Sequence, residues 1–143
     1  MYKHILLATD LSKDGETAAD KARELANLYQ AKLSLLHVIE PIPTYGYIEI
    51  AELEEARREE VNQALVKIGQ RLQVAALDQH IEVGLTKHQI LRKAEELGAD
   101  LIVVGSHSHH GLARLLGSTA NAILHGAECD VMVVRFKEAF HKG

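Results

Sequence analysis

The sequence predicts a doubly wound α/β domain, a parallel sheet with helices on both faces. Three observations predict it: five short apolar runs, helical-period segments between them, and runs such as Leu101 to Val104 that are apolar at every position. The runs are Ile5-Leu6-Leu7-Ala8, Leu33 to Ile39, Ile81 to Val83, Leu101 to Val104 and Val131 to Val134. Strands separated by helix-length segments pair in parallel through right-handed crossovers, which sends helices to both faces of one sheet. Leu101-Ile102-Val103-Val104 is apolar throughout, as a strand covered on both faces requires. Ile81-Glu82-Val83 alternates instead, which places it at an exposed edge.

In chain order, the first strand follows Met1-Tyr2-Lys3-His4 directly, with no apolar segment of the signal-peptide kind. Ala18, Ala22, Leu25 and Tyr29 recur at helical spacing and mark the first helix; Val61, Leu65, Ile68 and Leu72 mark the second. Between them, Glu40-Pro41-Ile42-Pro43-Thr44-Tyr45-Gly46-Tyr47 holds both prolines and follows neither period. It reads as a loop leaving the carboxyl edge of the sheet, either a cover over a cleft or a plain surface connection. Arg57 and Arg58 stand among the glutamates between Glu52 and Glu60, the pattern of a solvated helix face with i,i+4 pairs. The third helix carries a capping box, Thr86 with Gln89, then a stripe of Ile90, Ala94 and Leu97 and a closing Gly98. Ser118 is the expected cap of the fourth helix, whose stripe is Ala120, Ile123 and Ala127, with Gly126 near its end. Residues 1–143 show no internal repeat and read as a single domain.

The composition narrows the function classes. Hydrophobic residues make up 47% and charged residues 25% of the 143 positions, the mixture of an ordinary globular chain with one core. A net charge of −4 argues against a general nucleic-acid binder, which needs a basic face to neutralise phosphates. Cys129 is the only cysteine, so neither an internal disulfide, nor a CxxC redox pair, nor a cysteine-rich zinc site can be written. No apolar run approaches the ~18 residues of a membrane span. A soluble protein of the reducing cytoplasm is expected, without membrane or nucleic-acid partners.

Chemistry concentrates at two strand ends. The first strand ends in Ala8-Thr9-Asp10-Leu11-Ser12, which brings a carboxylate to the carboxyl edge. There Asp10 can orient a ribose, a base or a metal, or Asp10 or Ser12 can cap the helix that follows. After the fourth strand comes Gly105-Ser106-His107-Ser108-His109-His110-Gly111-Leu112-Ala113-Arg114-Leu115-Leu116-Gly117-Ser118-Thr119, a glycine- and serine-bearing connection running into a helix N-terminus. Glycine permits close backbone approach, and the helix end offers free amides and a positive dipole, so the segment suits an anion. Hydroxyls of Ser106, Ser108, Ser118 and Thr119 add donors. Neither GxxxxGK[ST] nor GxGxxG occurs, which removes specific support for P-loop and Rossmann sites. His107, His109 and His110 can be read as metal ligands, but no carboxylate or cysteine lies near them in sequence. Ser106 or Ser108 with a histidine and Asp10 or Asp100 can be read as a hydrolytic triad, but there is no GxSxG elbow. His37 and His125 read as structural.

Several stretches resemble the universal stress protein family in order and from end to end. They are Tyr2-Lys3-His4-Ile5-Leu6-Leu7-Ala8-Thr9-Asp10-Leu11-Ser12, Ser34-Leu35-Leu36-His37-Val38, Ala99-Asp100-Leu101-Ile102-Val103-Val104-Gly105-Ser106-His107 and Cys129-Asp130-Val131-Met132-Val133-Val134. The resemblance implies a three-layer α/β/α fold of the adenine nucleotide alpha hydrolase-like kind, strand order 3-2-1-4-5, a homodimer, a role in stress, and in one branch ATP or AMP held, with magnesium, and little or no hydrolysis. By matching positions it implies a nucleoside side of Ala8, Thr9, Asp10 and Val38. The implied phosphate side is Val104, Gly105, His107, Ser108, Gly117, Ser118 and Thr119.

Two departures touch the phosphate loop. The ATP-binding branch resembles glycine, two residues, glycine, nine residues, then glycine with Ser or Thr, whereas here Ser108 replaces the second glycine and eight residues separate it from Gly117. Both resemble the branch that does not bind ATP, while Gly105, Gly111, Gly117 and Ser118-Thr119 keep the phosphate-cradling character. Arg114 is the only Arg or Lys between Gly105 and Thr119, so any phosphoryl transfer is expected to be slow. With the implied strand order, Val131-Met132-Val133-Val134 is an edge without proline or charge. Such an edge invites self-complementary pairing with a second copy, unless the tail Phe136 to Phe140 covers it.

Overall fold

The computed structural model of the protein describes residues 1–41, 48–106 and 117–135. The strands are β1 (His4–Ala8), β2 (Lys32–Ile39), β3 (Gln79–Val83), β4 (Leu101–Gly105) and β5 (Asp130–Val134); the helices are α1 (Glu16–Tyr29), α2 (Ile48–Leu72), α3 (Thr86–Leu97) and α4 (Ser118–Gly126). Short 3-10 turns at Lys13–Gly15 and Ala76–Asp78 lead into α1 and β3. Every strand pair is parallel, and the order is β3-β2-β1-β4-β5. Ile5 lies opposite Leu33 on one side and Leu101 on the other, so the three most buried strands form the middle of the sheet.

Alternation along β1 divides two cores. Ile5 and Leu7 pack with Leu33, Leu35, Leu101 and Val103 against α1 and α2; Leu6 packs with Leu36, Val38, Ile102 and Val104 against α3 and α4. Each fully buried Leu, Ile or Val contributes about 1.5–3 kcal/mol, so truncating Leu6 or Leu36 to alanine would remove the centre of the second core. On α1 the buried stripe is Ala18, Ala19, Ala22 and Ala26, small residues that let the helix lie close to the sheet. Leu25 and Tyr29, expected in that stripe, pack at its rim, where Tyr29 meets Tyr2 edge to face at 5.2 Å. The α2 stripe runs as expected through the buried Leu65 and Leu72.

β3 is the exposed edge, and Glu82 within it has a partner. Lys93 of α3, only 5% exposed, reaches the Glu82 carboxylate at 2.8 Å, and Arg92 reaches it at 3.1 Å. The Lys93 bond, against some opposing burial, holds the Glu82 carboxyl below the usual range.

The expected helix stops hold better than the expected starts. Gly98 closes α3 in the left-handed region, φ 70°, with its N–H on the Ala94 and Glu95 carbonyls. The capping box of Thr86 and Gln89 does not form, however: Leu85 is the N-cap, Thr86 is already helical, and the Gln89 N–H simply bonds the Leu85 carbonyl. Glu40, from the end of β2, supplies the cap instead. At α4 the N-cap is Gly117 rather than Ser118, which is the first helical residue.

Candidate functional site

In this strand order the chain turns one way after β1 and the other way after β4, although the two strands are neighbours. Divergence of the two connections leaves a crevice at their carboxyl ends, the place where open α/β sheets hold ligands.

On the β1 side, the Thr9 N–H continues the ladder to the Leu36 carbonyl at 2.9 Å. The chain then kinks at Leu11, a non-glycine residue with φ 66°, whose N–H donates to Thr9 Oγ1 at 2.9 Å. Asp10 Oδ1 accepts from the Ser12 N–H at 2.9 Å and from the Ser12 hydroxyl at 2.6 Å, while Ser12 Oγ accepts from the Gly15 N–H at 3.1 Å. Ser12 therefore caps the 3-10 turn Lys13–Gly15 and Asp10 orients it, whereas α1 itself starts from Gly15 with no side-chain cap. A Cβ at position 15 would sit 2.9 Å from Asp10 Oδ1, so a larger residue there would push the Asp10 carboxylate aside.

His37 completes this side. The Thr9 carbonyl can only accept, so the imidazole Nδ1–H donates to it, at 2.8 Å. Burial pushes the imidazole pKa below its ordinary value, against the upward pull of the Thr9 carbonyl and Asp10. A neutral ring in this tautomer keeps an acceptor lone pair on Nε2.

On the β4 side, the Ser106 N–H donates to the Val134 carbonyl at 2.9 Å, and the Gly117 N–H donates to the Ser106 carbonyl at 2.7 Å. The departing and returning ends of the long connection are thus joined directly. α4 then begins with the Asn121 N–H on the Gly117 carbonyl, and among the described residues no side chain caps it. Amides of its first turn, Ser118 to Ala120, have no partner within the helix.

The two sides enclose a cavity of about 660 Å³. Its walls include Ala8, Thr9, Asp10, Val38, Val104, Gly105, Gly117, Ser118 and Thr119. His107 and Ser108 lie outside the described residues, as do His109, His110 and Arg114. Among the described residues no three His, Cys, Asp or Glu side chains cluster as metal ligands. Asp100 cannot serve a triad with Ser106. It sits at the opposite end of β4, where its carboxylate accepts from the amides of Lys3, at 2.9 and 3.2 Å, and His4, at 3.0 Å.

The profile of the universal stress protein family matches residues 1–135. The chain belongs to the universal stress protein family. Universal stress protein A homolog 1 of Coxiella burnetii is 45% identical over 142 residues, covering 96% of this chain and 99% of that protein. Among solved structures, the universal stress protein UspA from Lactobacillus plantarum has a TM-score of 0.82 at 27% identity, covering 94% of this chain and 98% of that one. A universal stress protein solved in complex with cAMP shares the fold with a TM-score of 0.72 at 24% identity, over 94% and 97% of the two chains.

Five polar residues of this universal stress protein reach the cavity without having been expected there: Thr17, His37, Glu40, Arg57 and Thr86. Arg57 hides in the charged run of α2, where its neighbours Glu55, Arg58 and Glu59 are exposed while it is half-buried. Glu40 Oε2 accepts from the Thr86 N–H at 3.0 Å and the Thr86 hydroxyl at 2.7 Å. The Thr86 hydroxyl and then its amide hold the Glu40 carboxyl below the usual carboxylate range. No helix among the described residues is long and apolar enough to cross a membrane.

Proposed function

We propose that this universal stress protein binds an adenine nucleotide, ATP, ADP or AMP, in the cavity at the carboxyl edge, and acts as a cytoplasmic homodimer in the stress response with little or no hydrolysis. One observation carries the reading: the N-terminus of α4, which no side chain caps among the described residues, and the Asp10 turn open onto one cavity at the switch point between β1 and β4. A volume of about 660 Å³ suits a nucleotide-sized ligand. Ala8, Thr9, Asp10 and Val38 would take the nucleoside; Val104, Gly105, Gly117, Ser118 and Thr119, with His107 and Ser108, would take the phosphates. Ser118 and Thr119 hydroxyls and the first amides of α4 match phosphate oxygens, and a magnesium ion would enter with the phosphates. The fold accommodates such a ligand in the protein solved with cAMP.

Slow turnover follows from charge. Phosphoryl transfer needs cations around the transferred group, and among the described lining residues Arg57 is the only Lys or Arg. Homodimerisation rests on β5, an edge strand whose Val131, Met132, Val133 and Val134 are all half-buried in one chain. Pairing with the same strand of a second copy would cover them.

Native mass spectrometry and calorimetry with ATP or AMP and magnesium test both parts. One nucleotide per chain and a raised melting temperature are expected, since a ligand bound only to the folded state stabilises it. An unchanged melting temperature at millimolar nucleotide would favour a nucleotide-free dimer acting through protein contacts. Val133→Lys should weaken the dimer; undiminished dimer affinity would move the interface away from β5.

A further inference from the structure

Two helices, not one, open their N-termini onto the cavity: α3 at Thr86 and α4 at Ser118. Each presents amide groups and the positive end of a dipole, so on charge alone each attracts an anion. α3 is the better endowed of the two. Arg57 lines the same space, and its guanidinium reaches the Glu40 carbonyl, 3.5 Å away, beside the residue whose carboxylate meets Thr86. Left open, this pairing of a cation with a helix end would compete with α4 for the phosphates.

It is not left open. Glu40 Oε2 takes both the Thr86 amide, at 3.0 Å, and the Thr86 hydroxyl, at 2.7 Å. We infer that Glu40 is a specificity-determining residue: its carboxylate occupies the anion-attracting end of α3, so that a ligand with one anionic end is accepted in one direction, with that end on α4. The directional consequence rests on the reading of α4 as the phosphate end. The chemical class admitted is a nucleotide charged at one end only, because a second anionic group at the far end would face a carboxylate already seated there. Position explains how the residue does this. Glu40 is the first residue beyond β2, and β2 and α3 enter the cavity wall side by side, so a short acidic side chain spans 46 positions of sequence in one hydrogen-bonded step.

The test is a titration of the full chain with inorganic phosphate, followed by amide NMR, for the wild type, Glu40→Gln and Glu40→Ala. Glu40→Gln keeps an acceptor for Thr86 and so guards against loss of fold. In the wild type, the Ser118 and Thr119 amides should shift and the Thr86 amide should not. In Glu40→Ala the Thr86 amide should respond, with an apparent affinity at least about tenfold above wild type, the scale of one charged hydrogen-bond partner, and in Glu40→Gln, whose amide oxygen still accepts from Thr86, it should respond more weakly. A merely structural cap would leave phosphate without effect on Thr86 in the variants, and that result overturns the inference, as does a wild-type Thr86 amide that moves together with Ser118. Silence at Ser118 and Thr119 with a response at Thr86 in the variants would overturn the phosphate reading of α4 and uphold the occlusion by Glu40.

Discussion

At the amino ends of the strands, polar groups are turned on one another. Asp100 accepts from the amides of Lys3 and His4, Tyr2 donates to Asp130 at 2.7 Å, His4 meets Ser34 at 2.7 Å, and Lys32 pairs with Asp78 at 3.3 Å. At the carboxyl ends, Asp10, Thr9, Ser118 and Thr119 are of the same chemical kinds, yet they border a cavity of about 660 Å³. Topology makes the difference. The short turns after Leu97 and Gly126 lead into β4 and β5 beside a smaller cavity of about 360 Å³, whereas the connections after β1 and β4 part company and leave the larger space between them. Similar side chains thus join neighbouring strands at one end and border an open cavity at the other.

The largest expected effect breaks the carboxyl end alone. Ser118→Glu places a carboxylate in the first turn of α4, where it repels a phosphate but suits the helix dipole. Nucleotide affinity measured by calorimetry should fall about a hundredfold, the scale of a few hydrogen bonds to a charged group, with the melting temperature unchanged or slightly raised. Retained affinity would place the phosphates elsewhere.

Asp100→Ala does the reverse. It removes the acceptor of two amides at the half-exposed amino end, and urea denaturation should show a loss of about 1–2 kcal/mol, discounted for solvent screening, with nucleotide affinity within about twofold of wild type. Burial raises the Asp100 carboxyl, but its bonds to the Lys3 and His4 amides outweigh that and hold it below the ordinary value. Its contribution is accordingly present above the unfolded carboxyl pKa and lost as pH falls through the lower folded value. A variant of wild-type stability, or one with weakened nucleotide binding, would end the contrast between the two edges.

The smallest effect spans both ends. Burial lowers the pKa of His4, His37 and His80. Below the ordinary imidazole value of about 6.5 the unfolded chain takes protons before the folded one, so stability should decline gradually from there as pH falls through the folded values. Denaturation at pH 7.5 and 5.5 should show the decline, and His37→Gln should flatten it in part. Stability that rises on acidification would reverse the assignment of neutral, buried rings.

The fold was legible because its signals are local. Leu101 to Val104 reads as a covered strand from its own four residues, and Gly98 ends α3 for reasons contained in one turn. Cap chemistry was not legible, since Thr86 and Gln89 satisfy a short-range pattern while the group that wins at Thr86 is Glu40, 46 positions earlier. A carboxylate already fixed at the end of β2 reaches the Thr86 amide without the reciprocal arrangement a capping box needs. Arg57 escaped for a related reason: a helix face that is solvated on average still turns one side chain inward. Asp10 stood out because β1 ends there, but its bond to Ser12 depends on the left-handed turn at Leu11, which no pattern of leucine announces. His107 and Ser108, drawn from the loop's motif, lie outside the described residues.

The hydrogen bond from the Gly117 amide to the Ser106 carbonyl, 2.7 Å long, works as a clasp. With both ends of the intervening stretch fastened to one another, its length can drift by a residue at a cost of only tenths of a kcal/mol in closure entropy, and neither β4 nor α4 has to move. A change of length or composition in that stretch can therefore be absorbed while the strand and the helix on either side keep their places.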